Sequence, residues 1–142
     1  MSEENKAIVR RFWEIVNQKI VPEKDLDAFE EFYASDYVWH IPGQDIQGLE
    51  QAKQVEGMYV NAFPDLQFTV EDVVAEGDKV VSRCTLRGTH RGETESLGPP
   101  TGRAVELEGI FMHRIEGGKM VEGWDRYDNL SFMQQLGLVP EQ

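Results

Sequence analysis

The stretch from Val105 to Asp128, VELEGIFMHRIEGGKMVEGWDRYD, constrains the fold more than any other part of the chain. It predicts two long strands joined at Gly117-Gly118, because paired glycines favour the conformations that tight hairpin turns require. The hairpin ends in Asp125 and Asp128, which stand among aromatic residues. We therefore expect the hairpin to form the floor of a cavity, with Asp125 as the candidate group for chemistry.

Helical periodicity dominates the first half of the chain. Apolar residues at helical spacing predict three helices, and proline marks where the first and the third end. The predicted helices are a first one through Ile8, Phe12, Ile15 and Val16 up to Pro22, a second from Asp25 to Tyr33, and a third through Ala52, Val55, Tyr59 and Ala62 up to Phe63-Pro64. A short strand from Tyr37 to Ile41 separates the last two.

From Leu66 onward the apolar period changes to two, which is typical of strands. Strands on either side of a turn at Glu76-Gly77-Asp78, a loop over Arg91 to Arg103, the hairpin, and a final helix capped by Asp128 or Asn129 complete the prediction. Helices first and a mostly antiparallel meander last indicate an α+β fold. A curved sheet covered by about three helices on one face leaves a conical hollow, and 142 residues form a single domain, 1–142.

Composition excludes several classes of function. The formal net charge of −12 argues against nucleic acid and anionic membrane surfaces as partners, because both attract clustered Lys and Arg. The single cysteine, Cys84, forms no intramolecular disulfide and fits a reducing cytoplasm. No signal peptide or membrane-spanning segment is expected. His40, His90 and His113 show no metal-binding spacing, so no metal or cofactor is predicted.

Two registers of the hairpin remain open. A two-residue turn at Gly117-Gly118 would place Asp125 opposite Ile110. A three-residue turn with a bulge would place Asp125 opposite Gly109, on the face of Phe111, His113 and Tyr127. We favour the second register, because it sets the carboxylate among aromatic rings and because Gly109 would leave room for a ligand.

Several segments carry a resemblance to a known family. They are NKAIVRRFW, the His40 to Pro42 tripeptide, AFPDLQFTVEDVVAEGDKVVSR, RGTHRGE, PPTGR, HRIEGGKMVEGWD and MQQLGLVP. In this order and spacing the chain resembles the SnoaL-like polyketide cyclases, which share the cone fold of the nuclear-transport-factor-like superfamily. The likeness covers about Asn5 to Pro140.

The resemblance implies a cofactor-free intramolecular aldol cyclisation, with an aspartate of the last strand as general acid/base. Asp125 looks like that residue. The sequence departs from the family at Phe111, where cyclases carry a polar residue, often histidine. Cones of this type pair through the open sheet, so a homodimer is expected.

The candidate site follows from these residues. Aromatic surroundings should raise the pKa of Asp125 above its ordinary value of about 3.9, which suits a general base. His90 is the second catalytic candidate, and either His90 or His40 would orient a substrate carbonyl. The predicted substrate-binding residues, for a small hydrophobic molecule, are Trp13, His40, Tyr59, Phe63, Arg83, Gly109, Phe111, His113, Trp124 and Tyr127.

Two rival functions stay open. Water activation like that of limonene epoxide hydrolases would need an arginine such as Arg83 beside Asp125. A non-catalytic ligand-binding or dimerisation module would instead have an apolar cavity without an ionisable group.

Overall fold

The computed structural model describes residues 2–140 and shows four helical stretches in its first half. Helix α1 spans Ser2–Ile15, and a π turn at Val16–Ile20 and the short helix α2, Val21–Glu23, continue it. A 3-10 helix, Leu26–Glu31, follows, and helix α3 spans Leu49–Ala62. The predicted end of the first helix at Pro22 is nearly right, since the helix continues for one residue and stops before Lys24, whose φ is 55°.

The strands form one six-stranded sheet in the order β2-β1-β6-β5-β4-β3. Strands β1 and β6 pair in parallel, and every other pair is antiparallel. The strands are β1 Tyr33–Ile41, β2 Gln44–Gln47, β3 Gln67–Glu76, β4 Lys79–Thr89, β5 Ala104–Glu116 and β6 Lys119–Tyr127. The predicted α+β cone with a mostly antiparallel sheet is confirmed.

Two strand predictions need correction. The first strand begins at Tyr33 instead of Tyr37. Pro42-Gly43, expected only to stop that strand, turns the chain into β2, with Gly43 at φ 82°. A short strand of exposed polar residues such as Gln44 and Gln47 shows little apolar alternation, so its sequence gave no signal.

The chain closes with helix α4, Asn129–Gln135. Asp128 is its N-cap, and its Oδ1 accepts a hydrogen bond from the Ser131 N–H at 2.9 Å, as one of the two predicted caps requires. None of the helices within residues 2–140 has the length and apolar content that crossing a bilayer requires.

The core lies between the helices and the inner face of the sheet. On β5 the inner residues alternate strictly with exposed ones, so Val105, Leu107, Gly109, Phe111, His113 and Ile115 are buried. Phe12 and Trp13 of α1 pack on this face. Phe63, Phe132 and Leu136 form a second apolar cluster with Val105 and Leu107.

Gly123 on β6 gives Tyr37 its place in this core. A Cβ on Gly123 would collide with the Tyr37 hydroxyl and would lie 3.1 Å from Tyr37 Cζ and 3.3 Å from His113 Cδ2. We expect Gly123→Ala to reduce the free energy of unfolding by about 1–3 kcal/mol, the usual cost of overpacking a core, measured by urea unfolding.

Tyr37→Phe supplies the matched control for this prediction, because it removes the oxygen that the new methyl group would meet. The double variant Gly123→Ala/Tyr37→Phe should recover part of the lost stability. Equal losses in the single and double variants would show that the hydroxyl is not the obstacle.

Candidate active site

The β5–β6 hairpin combines the two registers that the sequence left open. Gly117 and Gly118 have φ of 56° and 79°, which is the geometry of a two-residue turn, and Glu116 pairs with Lys119. The register then shifts between Arg114 and Ile115, because Val121 of β6 is an extra residue. Asp125 consequently lies opposite Phe111, so the predicted partners Ile110 and Gly109 are both wrong.

The face predicted for Asp125 nevertheless agrees with the structure. Asp125 lines an internal cavity of about 110 Å³ together with Phe111, His113 and Tyr127. Its carboxyl retains some accessible surface, and that surface faces the cavity. Burial raises the pKa of Asp125 to about 7, opposed by the Trp39 indole and the charge of Arg126.

A second carboxyl, that of Glu56 on helix α3, lines the same cavity. Burial is the main cause that raises the pKa of Glu56 to about 8, and the charge of Asp125 raises it further. The Tyr33 hydroxyl donates a long hydrogen bond of 3.5 Å to Glu56 Oε2. Glu56 was missed in the sequence, although Ala52, Glu56 and Val60 share one helix face by their i, i+4 spacing.

A pair of stacked tyrosines, Tyr33 and Tyr37, was also missed. Their ring centroids are 4.1 Å apart and nearly parallel, and both rings line the cavity. Tyr33 contacts Glu56 at one end, whereas Tyr37 reaches Gly123, two residues before Asp125. The Tyr37 hydroxyl is fully buried and has no hydrogen-bond partner within residues 2–140.

His113 occupies the inner wall as a neutral ring. Burial lowers its pKa to about 4, and its Nδ1 has no partner among the described residues. The ring lies 5.5 Å from that of Phe12. At neutral pH His113 therefore offers the cavity an uncharged imidazole.

The predicted aromatic wall is largely in place. Of the predicted substrate-binding residues, those that line the cavity are Trp13, Tyr59, Phe63, Phe111, His113 and Tyr127. Trp13 also donates from its indole N–H to Ser82 Oγ at 3.1 Å. Their contact with a substrate stays a prediction.

His90, the second predicted catalytic residue, lies outside the cavity lining. Its ring is buried, stacks on Phe63, and accepts the Thr101 backbone N–H at Nδ1 over 3.2 Å. Its backbone exchanges hydrogen bonds with the loop at Gly102 and Arg103. His90 thus fastens the loop that follows β4, and its predicted position beside Asp125 needs correction.

His40 and Trp124 also need correction, since both lie on the outer face of the sheet. They are paired across β1 and β6 and stack at 5.3 Å. Each ring nitrogen of His40 lies 2.7 Å from a carboxylate oxygen, one of Asp45 and one of Glu122. These two hydrogen bonds, that to Asp45 first, raise the pKa of His40.

Arg83 and Gly109 complete the corrections. Arg83 forms ion pairs with Asp72 at 2.6 Å and Glu108 at 2.7 Å on the outer face. Gly109 does face inward, but a Cβ there would lie 2.8 Å from the Phe111 ring. The Phe111 ring therefore occupies the space that the sequence analysis reserved for a ligand.

The cavity as a whole is apolar with a few polar groups, the usual composition of a small-molecule site. Its volume of about 110 Å³ is comparable to an engineered cavity of about 150 Å³ that binds benzene. It can therefore hold a ring-sized group beside the two carboxyls. No group of three or more His, Cys, Asp or Glu side chains within residues 2–140 could hold a metal ion.

These features define a cone-fold protein with an acidic, mostly apolar internal pocket. The family model for the SnoaL-like polyketide cyclases matches residues 7–136. The chain therefore belongs to the SnoaL-like polyketide cyclase family, as its motifs predicted. No curated protein sequence gives a significant match.

Solved structures support the same assignment. A candidate SnoaL-like polyketide cyclase of Jannaschia sp. CCS1 has a TM-score of 0.87 at 24% identity, covering 98% of this chain and 95% of that one. AclR, a candidate hydroxylase of Streptomyces galilaeus, has 0.81 at 30% identity, covering 99% and 85%. IdmH, a candidate polyketide cyclase of Streptomyces antibioticus, has 0.75 at 32% identity, covering 94% and 98%.

Proposed function

We propose that this protein is a cofactor-free cyclase-type enzyme in which Asp125 is the general acid/base for a hydrophobic, carbonyl-bearing substrate. The observation that carries the proposal is the Asp125 carboxyl in a mostly apolar cavity, with a pKa raised to about 7. A general base is most effective when its pKa lies near the working pH. Family membership adds the class of reaction.

In the proposed reaction the Asp125 carboxylate removes a proton from the carbon beside a carbonyl group. The resulting enolate carbon attacks a second carbonyl of the same molecule and forms a carbon–carbon bond. The alkoxide formed there takes up the proton that Asp125 holds, which regenerates the carboxylate. The aromatic walls, among them Trp13 and Phe111, would hold the substrate folded for this attack.

The rival functions receive less support from the same geometry. Epoxide-hydrolase-like water activation would need Arg83 beside Asp125, but Arg83 is paired with Asp72 and Glu108 on the outer face. A purely binding module has no use for two carboxyls whose burial raises their pKa, because such burial costs stability.

The predicted homodimer and cytoplasmic location also remain proposals. The open sheet ends in β2 and β3, and unpaired strand edges favour association with a second copy. Light scattering on the full chain would decide the oligomeric state.

Deuterium exchange into acetophenone tests the proposed proton abstraction without knowledge of the natural substrate. The probe is a ring-sized aryl ketone with hydrogens beside its carbonyl group. We expect the protein to catalyse exchange in deuterated water, followed by NMR, with a rate that rises through a midpoint near the Asp125 pKa of about 7. A rate that equals that of buffer at every pH would contradict the proposal.

A further inference from the structure

We propose that Glu56 is a second catalytic residue of this pocket, which donates a proton to the substrate carbonyl oxygen while Asp125 takes one from carbon. This inference rests on the proposed function of Asp125 and names its partner. Glu56 comes from helix α3 and Asp125 from strand β6, and both side chains line the one cavity. A substrate in the cavity would therefore meet a carboxyl from the helical wall and another from the sheet.

The surroundings of Glu56 give it no cation to neutralise its charge. Its hydrogen-bond partner among residues 2–140 is the Tyr33 hydroxyl at 3.5 Å, and no ion pair of Glu56 is formed within that range. By contrast, Glu50 on the same helix lies 3.8 Å from Lys53 Nζ and has a side chain that is 82% exposed. Helix α3 thus carries one ordinary surface carboxylate and one inward carboxyl that is more stable with its proton.

The stacked tyrosines connect the two carboxyls. Tyr33 contacts Glu56, Tyr37 stacks on Tyr33, and the Tyr37 hydroxyl is buried without a partner at Gly123, close to Asp125 in sequence. A buried hydroxyl without a partner is costly, and a substrate oxygen in the cavity would supply the missing hydrogen bond. The arrangement therefore places polar hydrogens around one region of an otherwise apolar space.

The order in which the two carboxyls lose their protons assigns their roles. The pKa of Asp125 is about 7 and that of Glu56 about 8, and the charge of Asp125 contributes to the second value. Like charges in one site cannot both form easily, so the pair passes through a state with one proton. In that state Asp125 is the base and Glu56 the acid.

The proton balance closes over the proposed cycle. Asp125 takes the proton from carbon, and Glu56 gives its proton to the carbonyl oxygen, which produces a neutral enol. When the enol carbon bonds to the second carbonyl carbon, the enol proton returns to Glu56. The new alkoxide receives the proton that Asp125 holds, so both residues regain their starting states.

Glu56→Gln tests the inference in the acetophenone exchange assay, with Glu50→Gln as the matched control on the same helix. We expect Glu56→Gln to lower the exchange rate by at least about 100-fold, as is usual for loss of a general acid. Wild type should also lose activity above the Glu56 pKa of about 8, whereas the residual activity of Glu56→Gln should show no such decrease. Glu50→Gln should behave as wild type.

The outcomes separate this inference from the function on which it rests. If Glu56→Gln and Glu50→Gln behave alike while Asp125→Asn is inactive, Glu56 is not catalytic and the proposed function stands. If Asp125→Asn keeps its activity, the proposed function fails and the inference fails with it. Carboxyl NMR titration provides a readout without turnover: a Glu56 pKa in the ordinary glutamate range, in the folded protein, would overturn the inference.

Discussion

Replacing Asp125 by asparagine is expected to lower the rate of acetophenone exchange by about 100- to 10,000-fold, the usual contribution of a general base. Asparagine has nearly the same shape as aspartate but cannot accept the proton. The cavity, its aromatic lining and the position of Glu56 should all be retained. NMR measurement of deuterium incorporation at saturating probe gives the rate directly.

Asp72→Asn is the matched control for this change. Asp72 has a side chain that is 61% exposed and pairs with Arg83 on the outer face of the sheet, so the same substitution there leaves the cavity untouched. We expect exchange by Asp72→Asn to equal that of wild type. Comparable rates for Asp125→Asn and Asp72→Asn would show that catalysis does not need the Asp125 carboxyl.

The sequence predicted the fold well because periodicity reports burial. The strict alternation of β5, with Phe111 and His113 inward and Met112 and Arg114 outward, is visible in the residues alone. The same logic applies to β4, where Arg83 lies between the buried Ser82 and Cys84. The outward position of Arg83 was therefore readable from its neighbours, although the sequence analysis placed it in the site.

The partners of the site residues could not be predicted in this way. Asp125 faces Phe111 because Val121 adds one residue to β6, and no local signal in the sequence marks that residue as a bulge. Trp124 and His40 were expected inside as aromatic and polar candidates, but their parallel pairing across β1 and β6 places both outside. Such pairing depends on contacts between residues that are far apart in the chain.

Glu56 shows a different limit of sequence reasoning. It lies on the same face of α3 as the buried Ala52 and Val60, a position where a carboxylate contradicts the apolar pattern. Departures of this kind often mark functional sites, where a local rule is broken for a purpose. The conflict was visible in the sequence, but its meaning depended on Asp125 lining the same cavity.

The second large expected effect is that Asp125→Asn stabilises the protein at alkaline pH. A carboxyl whose pKa is raised in the folded state binds its proton more tightly there than in the unfolded chain. Its contribution to stability is therefore fully present below the unfolded value and is lost as the pH rises through the folded value. For Asp125 that interval extends from its ordinary value of 3.8 to about 7.

At about 1.4 kcal/mol per pKa unit, this interval corresponds to roughly 4 kcal/mol in the free energy of unfolding. Asparagine carries no charge at any pH, so the variant avoids the whole cost, and loss of the negative charge also eases the ionisation of Glu56. In urea unfolding at about pH 9 we expect Asp125→Asn to exceed wild type by a few kcal/mol, and at about pH 5 the two should nearly agree. Asp72→Asn should differ from wild type by no more than about 0.5 kcal/mol at either pH, as surface changes usually do. If Asp125→Asn lost stability equally at both pH values, the carboxylate would be favourably solvated in the folded protein. In that case burial could not be what brings its pKa near neutrality, and the general-base role would lose its physical basis. A gain confined to high pH would instead tie stability and catalysis to one cause, the cost of holding a charge inside an apolar cone.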